Sequence, residues 1–176
     1  MSSAGLPARV VLVGFMAAGK STVGRRLARR VGYGFVDLDR AVEELAGRSV
    51  PEIFREEGEA AFRALEARAT RELDERREVV VAAGGGWMAR PALRDRWAEA
   101  VRVWLRVSPE EAVRRLGEDL ASRPMLDPGD PVGAAGRLLE SRRGDYARAE
   151  VAVDTDGRTP EEVAREVLRR LRAGTR

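Results

Sequence analysis

Arg9-Val10-Val11-Leu12-Val13 is a short, apolar, β-branched run that empties directly into Gly14-Phe15-Met16-Ala17-Ala18-Gly19-Lys20-Ser21. From Gly19 onward the apolar residues Val23, Leu27 and Val31 recur about one helical turn apart. The order is therefore buried parallel strand, glycine-bounded loop, helix, and the loop is a complete G-x-x-x-x-G-K-[ST] match. Glycines let backbone N–H groups curl around an anion, and the helix behind them offers its positive end. Lys20 is the only lysine among 32 Lys+Arg residues. A compact ammonium enters the gap beside β- and γ-phosphate oxygens where a planar guanidinium does not. The loop, Ala17 through Thr22, is thus read as a polyphosphate cradle, with the Ser21 hydroxyl directed at Mg²⁺.

The rest of the chain repeats the strand–helix alternation. Gly34 to Asp37 reads as a second strand, with helix to Leu45 after it. A helix opens near Val50-Pro51-Glu52, and a longer one is expected from about Glu59 to Arg76. Val79-Val80-Val81 is a third strand, Val101 to Leu105 a fourth and Glu150 to Val153 a fifth. Ser108-Pro109-Glu110-Glu111 and Thr159-Pro160-Glu161-Glu162 each present an N-cap, a first-turn proline and a capping-box glutamate. This pattern predicts an α/β single domain of the P-loop type over residues 1–176. It would be a three-layer sandwich of five parallel strands, ordered 2-3-1-4-5, with helices on both faces. Residues 1–8 read as a flexible tail. Residues 117–136, rich in Gly, Pro and Asp and without periodicity, read as a mobile lid.

Composition removes several chemistries. There is no cysteine and no histidine, so disulfides, thiol catalysis, a Cys/His zinc site and a histidine base are all excluded. The pI near 10 rests on a net charge of only +3. Charges of both signs alternate along the helices, which speaks for an ion-paired surface rather than a nucleic-acid stripe. No apolar stretch is long enough to span a membrane, and the first eight residues carry no hydrophobic signal core. The expectation is a cytoplasmic monomer that binds neither nucleic acid nor membrane.

Two clusters point to an acceptor. Asp37 and Asp39, two apart at the end of the second strand, should project to one side of the sheet's carboxyl edge, where ligands of open α/β sheets bind. Gly84-Gly85-Gly86 brings bare backbone to the same edge.

Taken together, Gly14 through Arg25, Asp37-Leu38-Asp39 and Gly47-Arg48-Ser49-Val50-Pro51-Glu52-Ile53-Phe54 resemble the shikimate kinase family. So do Gly58-Glu59-Ala60-Ala61-Phe62-Arg63-Ala64-Leu65-Glu66, Gly84-Gly85-Gly86, Arg123-Pro124-Met125-Leu126 and Arg142 through Tyr146, in the family's order over residues 9–171. The resemblance implies transfer of the γ-phosphoryl of MgATP to the 3-hydroxyl of shikimate. It implies that Asp39 contacts the ring hydroxyls and orients the attacking one, and that Arg63 and Arg142 bind the carboxylate. Gly85 and Gly86 would add backbone donors, with Phe54 and Phe62 packing nearby. Lys20 and Arg123 would stabilise the transferring phosphoryl group, Arg115 and Arg158 would flank adenine, and Asp37 would assist Ser21 with the metal. Two departures are visible: Ala17 stands where the family usually has glycine, and Arg143-Gly144-Asp145-Tyr146 where it often has Ala-Pro-Leu-Tyr. Alternatives are a P-loop kinase for another acceptor, such as gluconate or a nucleotide, and a non-enzymatic nucleotide- or nucleic-acid-binding protein.

Overall fold

A computed structural model describes residues 5–122, 126–127 and 129–174. Five strands, β1 (Arg9–Val13), β2 (Gly34–Asp37), β3 (Val79–Ala82), β4 (Val101–Arg106) and β5 (Val151–Asp154), form one sheet ordered β2-β3-β1-β4-β5, as expected. All four pairings are parallel. Every residue of β1 and β3 is buried, because helices cover both faces and leave no side of a central strand for polar residues. The helices are α1 (Lys20–Val31), α2 (Leu38–Ala46), α3 (Val50–Glu56), α4 (Gly58–Arg71), α5 (Pro91–Arg94), α6 (Pro109–Leu116), α7 (Pro131–Tyr146) and α8 (Pro160–Arg172).

Strand alternation divides the interior in two. Val10, Leu12, Val80, Val103, Leu105 and Val153 face α1, α6 and α8, meeting Val23, Leu27, Ala112, Val163 and Val167. Val11, Val13, Val79 and Val81 point the other way, to Leu38, Val42, Ile53, Phe62, Trp87, Trp97 and Tyr146. At roughly 1.5–3 kcal/mol for each large apolar side chain buried, these two layers are the main stabilising term.

The structure corrects four local expectations. α4 stops at Arg71 rather than continuing to Arg76. The guanidinium of Arg9, 1% exposed in β1, donates to the carbonyls of Leu73 (2.9 Å), Asp74 (2.8 Å) and Arg76 (2.9 Å). Those contacts tie the end of the helical run down as a turn, and Trp97 stacks on the same guanidinium at 4.4 Å. Glu111 does not complete a capping box. Ser108 accepts from its N–H, but the Glu111 carboxylate is taken by Arg114 and Arg115, and Asp156 accepts the Ser108 N–H instead. At Thr159 the reciprocal box is complete. Residues 117–136 are not aperiodic throughout: Gly117–Ser122 is a 3-10 turn, and residues 131–136 open α7 behind the Asp130 N-cap. The fourth correction concerns Asp39 and belongs to the site.

Candidate active site

β1, β2 and β3 end level with one another, since Leu12 and Asp37 both pair with Ala82. Their following loops therefore meet at one edge. Gly14 leaves β1 at φ +143°, and a Cβ there would stand 2.5 Å from the Leu105 carbonyl oxygen, so only glycine fits. The loop then passes through Ala17 at φ +56° and Gly19 at φ +88° into α1. The methyl of Ala17 thus occupies a left-handed conformation that costs an L-residue about 1–2 kcal/mol. Lys20 Nζ donates to the carbonyls of Gly14 (3.0 Å) and Phe15 (2.8 Å), which holds the ammonium at the loop.

Asp37 closes β2 and caps α2 at once. Its Oδ1 accepts from the Asp39 N–H (3.2 Å), and its Oδ2 accepts the Ser21 hydroxyl (2.5 Å). That cap turns the chain into a helix immediately, so Asp39 lies in the first turn of α2 and not on the strand. The two aspartates nonetheless border the same cavity, of about 460 Å³. Burial pushes the Asp39 carboxyl up from its ordinary value; the Lys20 charge opposes this, and Asp37, Glu66 and Glu43 reinforce it.

Opposite Asp39, each glycine of Gly84-Gly85-Gly86 faces a charged group. A Cβ on Gly84 would lie 3.0 Å from Glu66 Oε1 and 3.2 Å from Asp39 Oδ1. One on Gly85 would lie 2.7 Å from Arg142 Nη1, and one on Gly86 2.8 Å from Arg63 Nη2. The triplet is therefore the surface against which two guanidiniums and two carboxylates are laid. Arg63 is held in α4 by its own helix, donating to Glu59 through Nε (3.1 Å) and Nη2 (2.9 Å) and to Glu66 through Nη1 (3.1 Å). Burial alone would lower its pKa, but Glu59 and Glu66 outweigh that and keep the guanidinium firmly charged. Arg142 comes from α7. Tyr146, one turn on, donates to the Gly85 carbonyl (2.8 Å) and packs on Trp104. Burial pushes the Tyr146 hydroxyl up, against the charge and hydrogen bond of Arg142. Phe54 and Phe62, with ring centroids 4.7 Å apart, wall the cavity, and Phe54 is 40% exposed.

A second cavity, of about 560 Å³, lies on the far side of the loop. Ala17, Ala18, Gly19 and Thr22 line it from one side, and Arg115 and Arg158 from the other. Of the residues expected at the site, the structure brings Lys20, Ser21, Asp37, Asp39, Arg63, Gly85, Gly86 and Arg142 around the first cavity. The expected position of Arg123 lies outside the described residues.

Two participants had no sequence signal beyond a family-like segment. Glu66 is 1% exposed, and its Oε2 is shared by Arg63 and by Arg90 Nη1 (3.1 Å), which also donates to the Arg63 carbonyl (2.9 Å). Its Oε1 has no hydrogen-bond partner among the described residues and borders the cavity beside Gly84. Arg90 sits in the 3-10 and helical segment after Gly86, far from Glu66 in sequence, and no motif connects them.

The family model described as shikimate kinase matches residues 16–172. The shikimate kinase of Gloeobacter violaceus is 44% identical over 165 residues, covering 92% of this chain and 91% of the relative. That of Moorella thermoacetica is 43% identical over 169 residues, covering 96% of each. Among solved structures, shikimate kinase from Acinetobacter baumannii in complex with shikimate superposes with a TM-score of 0.86 at 34% identity, over 93% of this chain and 92% of that one. With the family model matching residues 16–172 and relatives 43% and 44% identical over more than nine-tenths of the chain, the chain belongs to the shikimate kinase family.

Proposed function

We propose that the chain transfers the γ-phosphoryl group of ATP to the 3-hydroxyl of shikimate, with Mg²⁺ as the accompanying ion. One observation carries the choice of acceptor: Arg63 and Arg142, from different helices, lie against consecutive glycines in one cavity that also contains Asp39 and Lys20. Two planar guanidiniums converging on one spot suit a carboxylate, and a nearby carboxylate suits a hydroxyl donor. A small hydroxylated acid satisfies both.

Phosphoryl transfer demands positioning and charge neutralisation more than covalent chemistry. The reading gives Arg63, Arg142 and the amides of Gly85 and Gly86 the task of holding the acid. Asp39 orients the attacking hydroxyl, and its raised pKa suits it to accept the departing proton. Lys20 meets the charge on the transferring group, and the reading assigns Arg123, outside the described residues, to the same task. Arg115 and Arg158 border the cavity assigned to adenine. Ser21 and Asp37 offer two hard oxygens, fitting an ion that keeps few protein ligands and takes the rest from phosphate and water. Bound Mg²⁺ would supply charge neutralisation at the β- and γ-phosphate oxygens. Among the described residues no helix is long and apolar enough to cross a membrane, and we take the protein to act as a monomer in the cytoplasm.

The test is ADP release by the purified protein with ATP and Mg²⁺, with shikimate, gluconate or nucleoside monophosphates as acceptor. Stimulation by shikimate alone, abolished by chelation of the metal, is the expected result. Stimulation by gluconate or a nucleotide instead would overturn the substrate assignment.

A further inference from the structure

Ala17 is the strained point of the phosphate loop, with its Cβ in a left-handed conformation that persists only where surrounding contacts over-determine it. The contact that does so comes from 98 residues away: Arg115 Nη1 donates to the Ala17 carbonyl at 3.2 Å. Arg115 is itself anchored along its whole fork. Its Nη1 also donates to Thr155 Oγ1 (3.1 Å), its Nη2 to the Thr155 carbonyl (2.7 Å) and its Nε to Glu111 (2.7 Å). Thr155, 2% exposed just past β5, is in turn bound to the Arg106 carbonyl at the end of β4 through both its N–H and its hydroxyl, each at 2.9 Å. A continuous chain of hydrogen bonds therefore runs from the rigid sheet through one guanidinium to the peptide that shapes the loop.

Resting on the reading of that loop as a polyphosphate site, we propose that Arg115 is a positioning residue that sets the phosphate-binding geometry through the Ala17 carbonyl, independently of any contact with the adenine ring. The arrangement requires arginine, since only a planar fork reaches three anchors and the loop together, and it compensates for an alanine where glycine would adopt the same φ unaided.

Inorganic tripolyphosphate, which carries phosphates and no adenine, separates this role from base binding. Its dissociation constant is to be measured calorimetrically for the unaltered chain, Arg115→Met, Ala17→Gly and the double variant. Loss of a charge-assisted anchor should weaken binding about five- to tenfold in the Ala17 background. In the Ala17→Gly background the same replacement should cost less than about twofold, because glycine holds the conformation without help. Thr155→Val leaves the charge of Arg115 in place and removes one of its anchors, and it too should weaken tripolyphosphate binding in the Ala17 background alone. An equal loss in both backgrounds would mean that the guanidinium acts on phosphate directly, and no loss in either that the clamp is idle; each overturns the proposal. Failure of the unaltered chain to bind tripolyphosphate at all would instead overturn the phosphate-loop reading, and this inference with it.

Discussion

Replacing Gly86 by alanine separates recognition from stability. Gly86 has φ −99° and ψ −2°, which alanine adopts without backbone strain. Its new methyl would stand 2.8 Å from Arg63 Nη2 and 3.0 Å from Nη1, where ordinary contact begins at 3.4 Å. The guanidinium must therefore retreat by about 0.6 Å, which it can do because it is the end of a flexible side chain. The folded state loses little by this, and reduced freedom of the unfolded chain offsets the loss, so stability should stay within about 1 kcal/mol. Recognition has no such slack. Withdrawing a bidentate donor from a carboxylate forfeits a charged hydrogen bond of about 1.5–3 kcal/mol, a factor of roughly 10 to 100. Steady-state assays should therefore find KM for shikimate raised by at least tenfold with KM for ATP unchanged, and thermal unfolding close to that of the unaltered protein. An unchanged shikimate KM in a folded Gly86→Ala protein would refute the argument that the glycine triplet exists to seat the guanidiniums.

Asp39→Asn should nearly abolish turnover and leave ATP binding largely intact, and normal turnover would remove its assigned role. Because burial raises the folded-state pKa of Asp39, its contribution to stability is present below the unfolded carboxylate value and lost as pH rises through the folded one. The asparagine variant should accordingly unfold at a higher temperature at pH 7, with the gain fading towards pH 3.8, and a lower Tm at pH 7 would contradict this. Ala17→Gly relieves a left-handed alanine but frees the unfolded chain, for a net gain of about 0.5–1 kcal/mol and a rise in Tm of roughly 1–4 °C; a fall would show that the loop is not strained there. Glu66→Gln leaves Arg63 and Arg90 facing each other without the buried carboxylate between them. It should cost about 2–3 kcal/mol in denaturant unfolding and raise KM for shikimate, and the idea fails if both stay unchanged.

The phosphate loop, the strand order and most helix starts were legible because each rests on local chemistry. A β-branched run before Gly14, a lone lysine in a fixed spacing and a serine or threonine before proline are signals carried within a few residues. Asp37 and Asp39 were readable as a pair at the right edge, but their shared strand face was not correct. The Asp37 side chain caps α2 and moves Asp39 onto the helix, an outcome that depends on one hydrogen bond. The end of α4 was misread for a comparable reason, since the Arg9 guanidinium that captures the carbonyls just past it belongs to a strand 64 residues before Leu73.

The sequence by itself determined the class of chemistry: a polyphosphate site on a parallel sheet, with no cysteine or histidine available and with arginine as almost the whole supply of positive charge. Only the tertiary structure decided which of the many arginines gather at the carboxyl edge of the sheet, because guanidiniums are equivalent until packing gives them partners. Arg63 and Arg142 are selected by the bare backbone of Gly86 and Gly85. Arg90 is selected by the buried carboxylate of Glu66, and Arg115 by the carbonyls of Ala17 and Thr155. Each of those pairings spans tens of residues, so it exists only once the sheet has brought its strand ends together.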